Sequence, residues 1–337
     1  MKPYSFVILL LSALSMLAGC GNQNGAAPSL EGPGIPTDSL YCRDPFIVAD
    51  PESKTYFLYR SATTEEGLGG VEVFKSTDLL SWHGPERVFT APEDNFINGP
   101  VWAPEVHRYN GAWYLFATLN SDKTWADTIE GWPRFTYRGT QIFRSRSLEG
   151  PFLPLGKELT TPKEFMALDG TLWEEDGVPY MVFCHEWVQI FDGSFEAMPL
   201  KKDLSAAAGE PVTLFTASQA PWVSPVAWRT EADGSSRPGY VSDGNFLYRT
   251  KGGDLLMLWS SMKNGKYCVA ISRSASGKLA GPWTCDPEPV FEADGGHPMV
   301  FKDFDGSLKL VFHQPNSGFS HPVILPVQDT GHTLSLR

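Results

Sequence analysis

Tyr41-Cys42-Arg43-Asp44-Pro45-Phe46-Ile47-Val48 sets a carboxylate at the head of an apolar strand, and the arrangement returns four more times along the chain. From Asp44 the chain runs through Phe46-Ile47-Val48-Ala49, turns at Asp50-Pro51-Glu52-Ser53 and comes back as Tyr56-Phe57-Leu58-Tyr59 to Arg60, 16 positions on. A second copy leads from Trp102 through Val106-His107-Arg108-Tyr109, turns at Asn110-Gly111 and returns to Thr118, again 16 positions away. Asp169 opens a third copy that turns at Glu175-Asp176-Gly177 and closes at His185. Asp243 opens a fourth around Lys251-Gly252-Gly253-Asp254, and His297 a fifth around Asp305-Gly306 that closes at His313. Short apolar runs broken by Asp-Gly, Asn-Gly or Gly-Gly read as hairpins, because those pairs supply the positive φ of tight turns. The openers lie 58, 67, 74 and 54 residues apart, near the period of kelch-type blades and too long for helical solenoids. The pattern predicts an all-β chain, a five-bladed β-propeller in a single domain. In such a ring the innermost strand of a blade starts, and the second strand ends, at one mouth of the central channel. Openers and closers therefore share that mouth.

Outside the hairpins, Val73-Phe74-Lys75-Ser76, Ile142-Phe143-Arg144-Ser145 and Ala270-Ile271-Ser272-Arg273 each lead to a Gly-Pro and read as outer strands. Two insertions, 120–138 with Trp125 and Trp132 and 218–240 with Trp222 and Trp228, interrupt the period near the mouth and are candidates to wall a pocket. A net charge of −12 excludes a nucleic-acid partner, which needs a basic surface. The 11 Trp and 21 Phe serve mostly blade-to-blade packing, with some as platforms for sugar rings. Cys42, Cys184, Cys268 and Cys285 permit disulfides in an exported chain, but their spacing selects no pairing and buried free thiols fit equally.

Residues 1–19 read as a targeting segment, with Lys2 ahead of an apolar core too short for a transmembrane span. Leu17-Ala18-Gly19-Cys20 resembles a bacterial lipoprotein signal, which implies Cys20 as the lipidated residue and a membrane contact through that anchor only. Residues 20–39, rich in Gly and Pro, read as a flexible tether, and 40–337 as the propeller. Gly21-Asn22-Gln23-Asn24 holds no acidic cluster, so the expected location is the cell envelope, on the outer membrane facing the periplasm. A monomer is expected.

At the shared mouth the sequence places Asp44, Asp169 and Asp243, with Glu186 just beyond the third return strand. Carboxylates converging on a narrow pocket repel one another, so one pKa rises while another stays low. Glycoside hydrolysis with inversion needs that split: one carboxylic acid protonates the leaving oxygen and one carboxylate activates water, at a separation of roughly 6.5 to 9.5 Å. A single Asp would more often be a turn or cap residue, whereas three at equivalent places point to function. Phe46, Trp102, Glu105, His185 and His313 are the candidate substrate-binding residues.

Arg43-Asp44-Pro45-Phe46, Trp102-Ala103-Pro104-Glu105-Val106, Leu168-Asp169-Gly170-Thr171 and Gly296-His297-Pro298 together resemble glycoside hydrolase family 43, five-bladed propellers that hydrolyse arabinofuranosyl, xylosyl and related linkages with inversion. The resemblance implies Asp44 as general base, Asp169 as the residue that orients the acid and tunes its pKa, and His297 as ligand of a metal, usually calcium. No organic cofactor is implied. The family's acid is a Glu followed by Gly-Pro, and here that place reads Ser242-Asp243-Gly244-Asn245. Either Asp243 is the acid in a reshaped pocket or Glu186 has taken over. Glu186 is preferred, because its side chain has the usual reach and Asp169 lies in the same blade. The implied substrate is a plant-type oligo- or polysaccharide bearing terminal α-L-arabinofuranosyl or related furanosyl or xylosyl residues. The chain's end soon after the fifth hairpin favours a furanosidase over a xylosidase. The alternatives are a non-catalytic glycan-binding lipoprotein, and a β-xylosidase or galactofuranosidase on the same scaffold.

Overall fold

A computed structural model of the chain describes residues 30–65, 67–91 and 98–336. The targeting segment, the lipoprotein motif at Cys20 and residues 20–29 of the expected tether lie outside the described residues. The rest forms five antiparallel blades. Blade 1 is Phe46–Asp50, Thr55–Thr63, Gly69–Ser76 and Ser81–Thr90, and blade 2 is Val101–Tyr109, Ala112–Thr124, Thr136–Ser145 and Leu153–Pro154. Blade 3 is Ala167–Glu175, Val178–His185, Ser194–Pro199 and Val212–Thr216. Blade 4 is Asp243–Arg249, Leu255–Lys263, Lys266–Ser274 and Trp283–Cys285, and blade 5 is Gly296–Lys302, Leu308–Gln314, His321–Asp329 and Leu334–Leu336. The five first strands touch one another in cyclic order, so they surround one axis. The expected propeller is the fold observed.

Register confirms the shared mouth. Trp102 pairs with Thr118, Asp243 with Ser260 and Gly296 with His313. In blade 3 His185 pairs with Ala167, so the return strand ends level with the opener and Glu186 lies one residue past it.

Each first strand carries one residue in the left-handed region at its head: Asp44 (φ 49°), Ala103 (42°), Asp169 (57°), Gly244 (56°) and His297 (60°). Blades 2 to 5 also break register there, as bulges do. Trp102 and Asp243 therefore sit one residue ahead of the place that Asp44, Asp169 and His297 occupy, a one-residue correction to the equivalence read from the sequence. Glycine is required in blade 4, since a Cβ on Gly244 would come within 2.7 Å of the His297 Cα. The bulges are latched between blades. The Asp169 N–H donates to Thr118 Oγ1 of blade 2 at 2.9 Å, and the His297 N–H to Ser260 Oγ of blade 4 at 2.8 Å. The Asp44 N–H donates to His313 Nδ1 of blade 5 at 3.2 Å, across the join between the first and last blades. That join also carries the Cys42 N–H on the Ser320 carbonyl, Arg43 on Asn316, and Met299, Phe301 and Val311 packed among blade 1 side chains.

Residues 35–39 depart from the tether assigned by composition. Ile35–Pro36 pairs with Ser81–Trp82 and covers the outer edge of blade 1, followed by a 3-10 turn at Thr37–Ser39. Thr37 Oγ1 donates to the Leu79 carbonyl and accepts from Trp82 Nε1, which fixes the segment on the blade. An edge strand's unpaired amides are satisfied in this way. Among the described residues, Cys42, Cys184, Cys268 and Cys285 are free thiols, the first three of them buried.

Trp259 and Trp283 of blade 4 pack against blade 3, whereas Trp125 and Trp228 are exposed. Trp259 has no exposed surface, meets Phe195 and Phe215 of blade 3 and Trp222 of the second insertion, and donates to Ser272 Oγ at 2.9 Å. Trp259→Ala should cost about 3–5 kcal/mol through the cavity left behind, read as a lowered midpoint in chemical denaturation. A midpoint within error of the parent chain would show that the blade 3–blade 4 contact does not depend on this ring.

Candidate active site

The mouth opens into a cavity of about 680 Å³ lined by Asp44, Asp169, Asp243, Glu186 and Trp102, among others. All four expected catalytic carboxylates thus share one space. His297 lies beneath it, with Nδ1 at 3.4 Å from Asp44 Oδ1, 3.4 Å from Asp243 Oδ1 and 4.0 Å from Asp169 Oδ2. Burial opposes a charge on this ring, but the three carboxylates outweigh it and raise the His297 pKa to about 10. At neutral pH an imidazolium therefore sits among three carboxyl groups.

That cation divides the carboxylates unequally. Burial disfavours the Asp44 anion, yet His297 and His313 hold its pKa below the ordinary value, so Asp44 is ionised. Asp169 is the more deeply buried of the remaining two, and burial together with the charge of Asp243 pushes its pKa well up. Asp243 is the opposite case. Burial is outweighed by the bond it accepts from Asp169 and by His297, and its pKa falls. The two behave as a pair with one proton, carried by Asp169, whose Oδ2 also accepts the Gly244 N–H at 3.0 Å.

Glu186 stands apart on the wall. Burial raises its pKa to about 7, Arg138 pulls the other way and Asp243 adds to the rise. Arg138 NH1 reaches Glu186 Oε2 at 2.7 Å, and its guanidinium lies 4.8 Å from the centre of the Trp102 ring.

Of the expected substrate-binding residues, Trp102 lines the cavity and the other four do not. Phe46 is buried, edge-on to His107 and against Phe246. Glu105 is buried and bonds His107 Nε2 at 2.8 Å. His185 stacks on Phe165 and bonds Gln189 Oε1 at 2.8 Å. His313 is fully buried and holds the backbone of Asp44. Their level along the strands is near the mouth, but Phe46 touches blades 2 and 4, Glu105 bonds within its own strand, His185 packs on Phe165 and Gln189 beside its own blade, and His313 faces the backbone of blade 1. Likewise the two insertions do not line the cavity. They meet behind it, where Trp132, Phe191 and Ala227 back Trp187, which does line it.

Arg138, Trp187, Arg43, Arg60 and Glu72 were not assigned from the sequence. The available signals were the adjacency of Trp187 to Glu186, of Arg43 to Asp44, and the place of Arg60 as first-blade closer. Asp169, Asp243 and His297 each offer one ligand atom, within 4.8 Å of one another. Two carboxylate oxygens and an imidazole suit a cation that completes its shell with water, although calcium prefers six to eight oxygens. Such a cation competes with the His297 proton for Nδ1.

Residues 34–333 match glycosyl hydrolases family 43. The extracellular exo-alpha-(1->5)-L-arabinofuranosidase of Streptomyces avermitilis is 27% identical over 297 residues, 83% of this chain and 53% of that protein. The chain thus spans about half of that relative's length. The endo-arabinase from Bacteroides thetaiotaomicron VPI-5482 superposes with a TM-score of 0.78 at 39% identity, covering 90% of this chain and 100% of that one. The alpha-L-arabinofuranosidase from Lactobacillus brevis, at 17% identity and a TM-score of 0.67 over 88% and 96% of the two chains, shares the fold. With a family match that runs from the edge strand of blade 1 into the last turn of blade 5, this chain belongs to family 43 of the glycosyl hydrolases.

Proposed function

We propose that this chain is an inverting glycoside hydrolase that removes terminal α-L-arabinofuranosyl or related furanosyl or xylosyl residues from plant-type glycans. The observation that carries the reading is the unequal proton affinity of four carboxyl groups in one cavity. Ionised Asp44 takes the proton of the attacking water, and Glu186, with a pKa near 7, gives its proton to the leaving oxygen. Asp243 is ionised and has no proton to give, so it accepts a bond from a sugar hydroxyl. Asp169 orients Asp243 and keeps the pair at one negative charge. Trp102 offers a ring face to the sugar. Calcium, when bound, would be held by Asp169, Asp243 and His297 and would supply the positive charge that the His297 proton otherwise supplies. The arabinose-directed names of the Streptomyces and Bacteroides relatives support the choice of sugar.

The word extracellular in the name of the Streptomyces avermitilis relative supports an exported protein. Leu17-Ala18-Gly19-Cys20 supports anchoring through Cys20, on an outer membrane and facing the periplasm. Removal of the protein from intact cells by added protease would contradict that orientation.

Three outcomes test the chemistry. Asp44→Asn should fold normally and lose roughly 10²–10⁴-fold in turnover, and activity within a few-fold of the parent would remove Asp44 as the base. Glu186→Gln should cripple natural glycosides while sparing aryl glycosides with acidic phenols, because an activated leaving group needs no proton. Asp243→Asn should weaken both substrates alike, and the reverse pattern would make Asp243 the acid.

A fourth outcome concerns pH. Glu186 must be protonated to act, so turnover should fall as pH rises through about 7. Arg138 favours the carboxylate, so Arg138→Gln should shift that alkaline limb to higher pH, while Arg138→Lys should leave it nearer the parent position. An unmoved limb in Arg138→Gln would detach the limb from Glu186.

A further inference from the structure

The cavity is bipolar. Its axial end holds the four carboxyl groups, and its other end runs out over blade 1, where Tyr41, Arg43, Arg60 and Glu72 line it. Arg60, Glu72 and Arg87 are direct cross-strand neighbours on three successive strands. One carboxylate therefore serves two guanidinium groups: Glu72 Oε2 lies 3.1 Å from Arg60 NH2, and Oε1 lies 3.0 Å from Arg87 NH2. The ladder keeps one positive charge. Arg43 adds another, since its guanidinium donates to the Asn316 carbonyl and, at 3.1 Å, to Asn316 Oδ1, both neutral acceptors. Arg60 also donates to the carbonyl of Tyr41, two residues before Arg43, so the two guanidiniums are tied to one short piece of chain. These bonds use two of the five N–H donors of Arg43 and three of those of Arg60, which leaves donors on both.

In a chain of net charge −12, Arg43 with neutral partners only, together with a ladder of two arginines on one carboxylate, leaves a net of two positive charges at one end of the cavity, a local attractor for an anion. A second, apolar feature shares that rim. Tyr41 is 46% exposed and Phe319 54%, with ring centres 5.7 Å apart. An aromatic face beside paired planar guanidiniums suits a ring that carries a carboxylate, because the face takes the ring and the fork takes both carboxyl oxygens.

We propose that the blade 1 end of the cavity is a subsite for a uronic acid, the sugar next to the one released, whose ring lies against Tyr41 and whose carboxylate is held by Arg43 and Arg60. The inference rests on the hydrolase reading and adds to it that the preferred glycan is acidic. The bipolar charge also sets direction. An anionic neighbour is repelled from the axial carboxylates and drawn toward blade 1, which leaves the neutral terminal sugar to enter the axial end.

The test uses two synthetic arabinofuranosyl disaccharides that differ only in the second sugar, glucuronic acid or its methyl ester. The acid should be the better substrate by about tenfold or more in kcat/KM, chiefly through KM, with the preference shrinking as salt is raised. In Arg43→Gln, and more so in Arg43→Gln with Arg60→Gln, the preference should fall toward one. Arg43 lies outside the Glu72 ladder, so its single variant keeps the result readable if loss of Arg60 unsettles blade 1. Equal rates for acid and ester in the parent chain, or a preference that survives both substitutions, would overturn the subsite. If neither disaccharide is cleaved, and nitrophenyl arabinofuranoside and xyloside are also untouched, the hydrolase reading fails instead. Calorimetric titration with free glucuronate and its methyl ester then decides the subsite, with tighter binding of the acid supporting it and equal binding overturning it.

Discussion

The residue that turns left-handed at the head of each innermost strand is the constraint on which the site depends. Without it a strand would run straight into the channel and send alternate side chains to opposite faces. With it, the backbone at Asp44, Asp169 and His297 kinks so that three polar side chains converge on one point under the cavity. Non-glycine residues adopt this conformation at a cost. The latches from Thr118, Ser260 and His313 give each kinked N–H a partner in the preceding blade and so hold the conformation in place.

Convergence alone would assemble a cluster of negative charge that could not stay folded. The imidazolium of His297 resolves this by facing three carboxyl groups at once, and a proton kept between Asp169 and Asp243 removes one further charge. Glu186 escapes the compensation because it stands on the wall rather than the floor. Its cation is Arg138, which also lies over Trp102, so the position of the carboxyl group is coupled to the ring expected to meet the sugar. Proton affinity in this cavity thus follows burial set against the cation: Asp44 and Asp243, each 3.4 Å from the imidazolium, are held acidic, whereas the more deeply buried Asp169, 4.0 Å away, and Glu186 on the wall hold their protons more tightly.

The ring of blades was legible because hairpin turns and strand periodicity are local signals, written in Asp-Gly and Asn-Gly pairs and in apolar runs. The four carboxyl groups were legible for a related reason, as each lies within one or two residues of a strand end. Side-chain direction was less so. Phe46, Glu105, His185 and His313 occupy the right level along their strands, but their side chains are taken up outside the cavity by His107 and Phe246, by His107, by Phe165 and Gln189, and by the backbone of Asp44, partners that strand counting does not name. Only Gly244 betrays its bulge by residue type, while Ala103 in the same conformation gives no sign. Arg138 reaches Glu186 from another blade, and no spacing rule connects the two. The edge strand at Ile35–Pro36 was hidden by composition, because Pro and Gly suit a sheet edge as well as a loose tether.

The join between the first and last blades has a consequence for the lifetime of the working enzyme. Asp44 belongs to blade 1, while His297, which charges it, and His313, which holds its backbone, belong to blade 5. The cleft that would open if the circle of blades sprang apart therefore runs through the reacting centre itself. A molecule with every sheet intact but its two ends undocked would keep its secondary structure and lose Asp44, the proposed water-activating group, from the site. Ring integrity and chemical competence are in this way a single property, and the rate of turnover is a gauge of closure more sensitive than any measure of folded sheet.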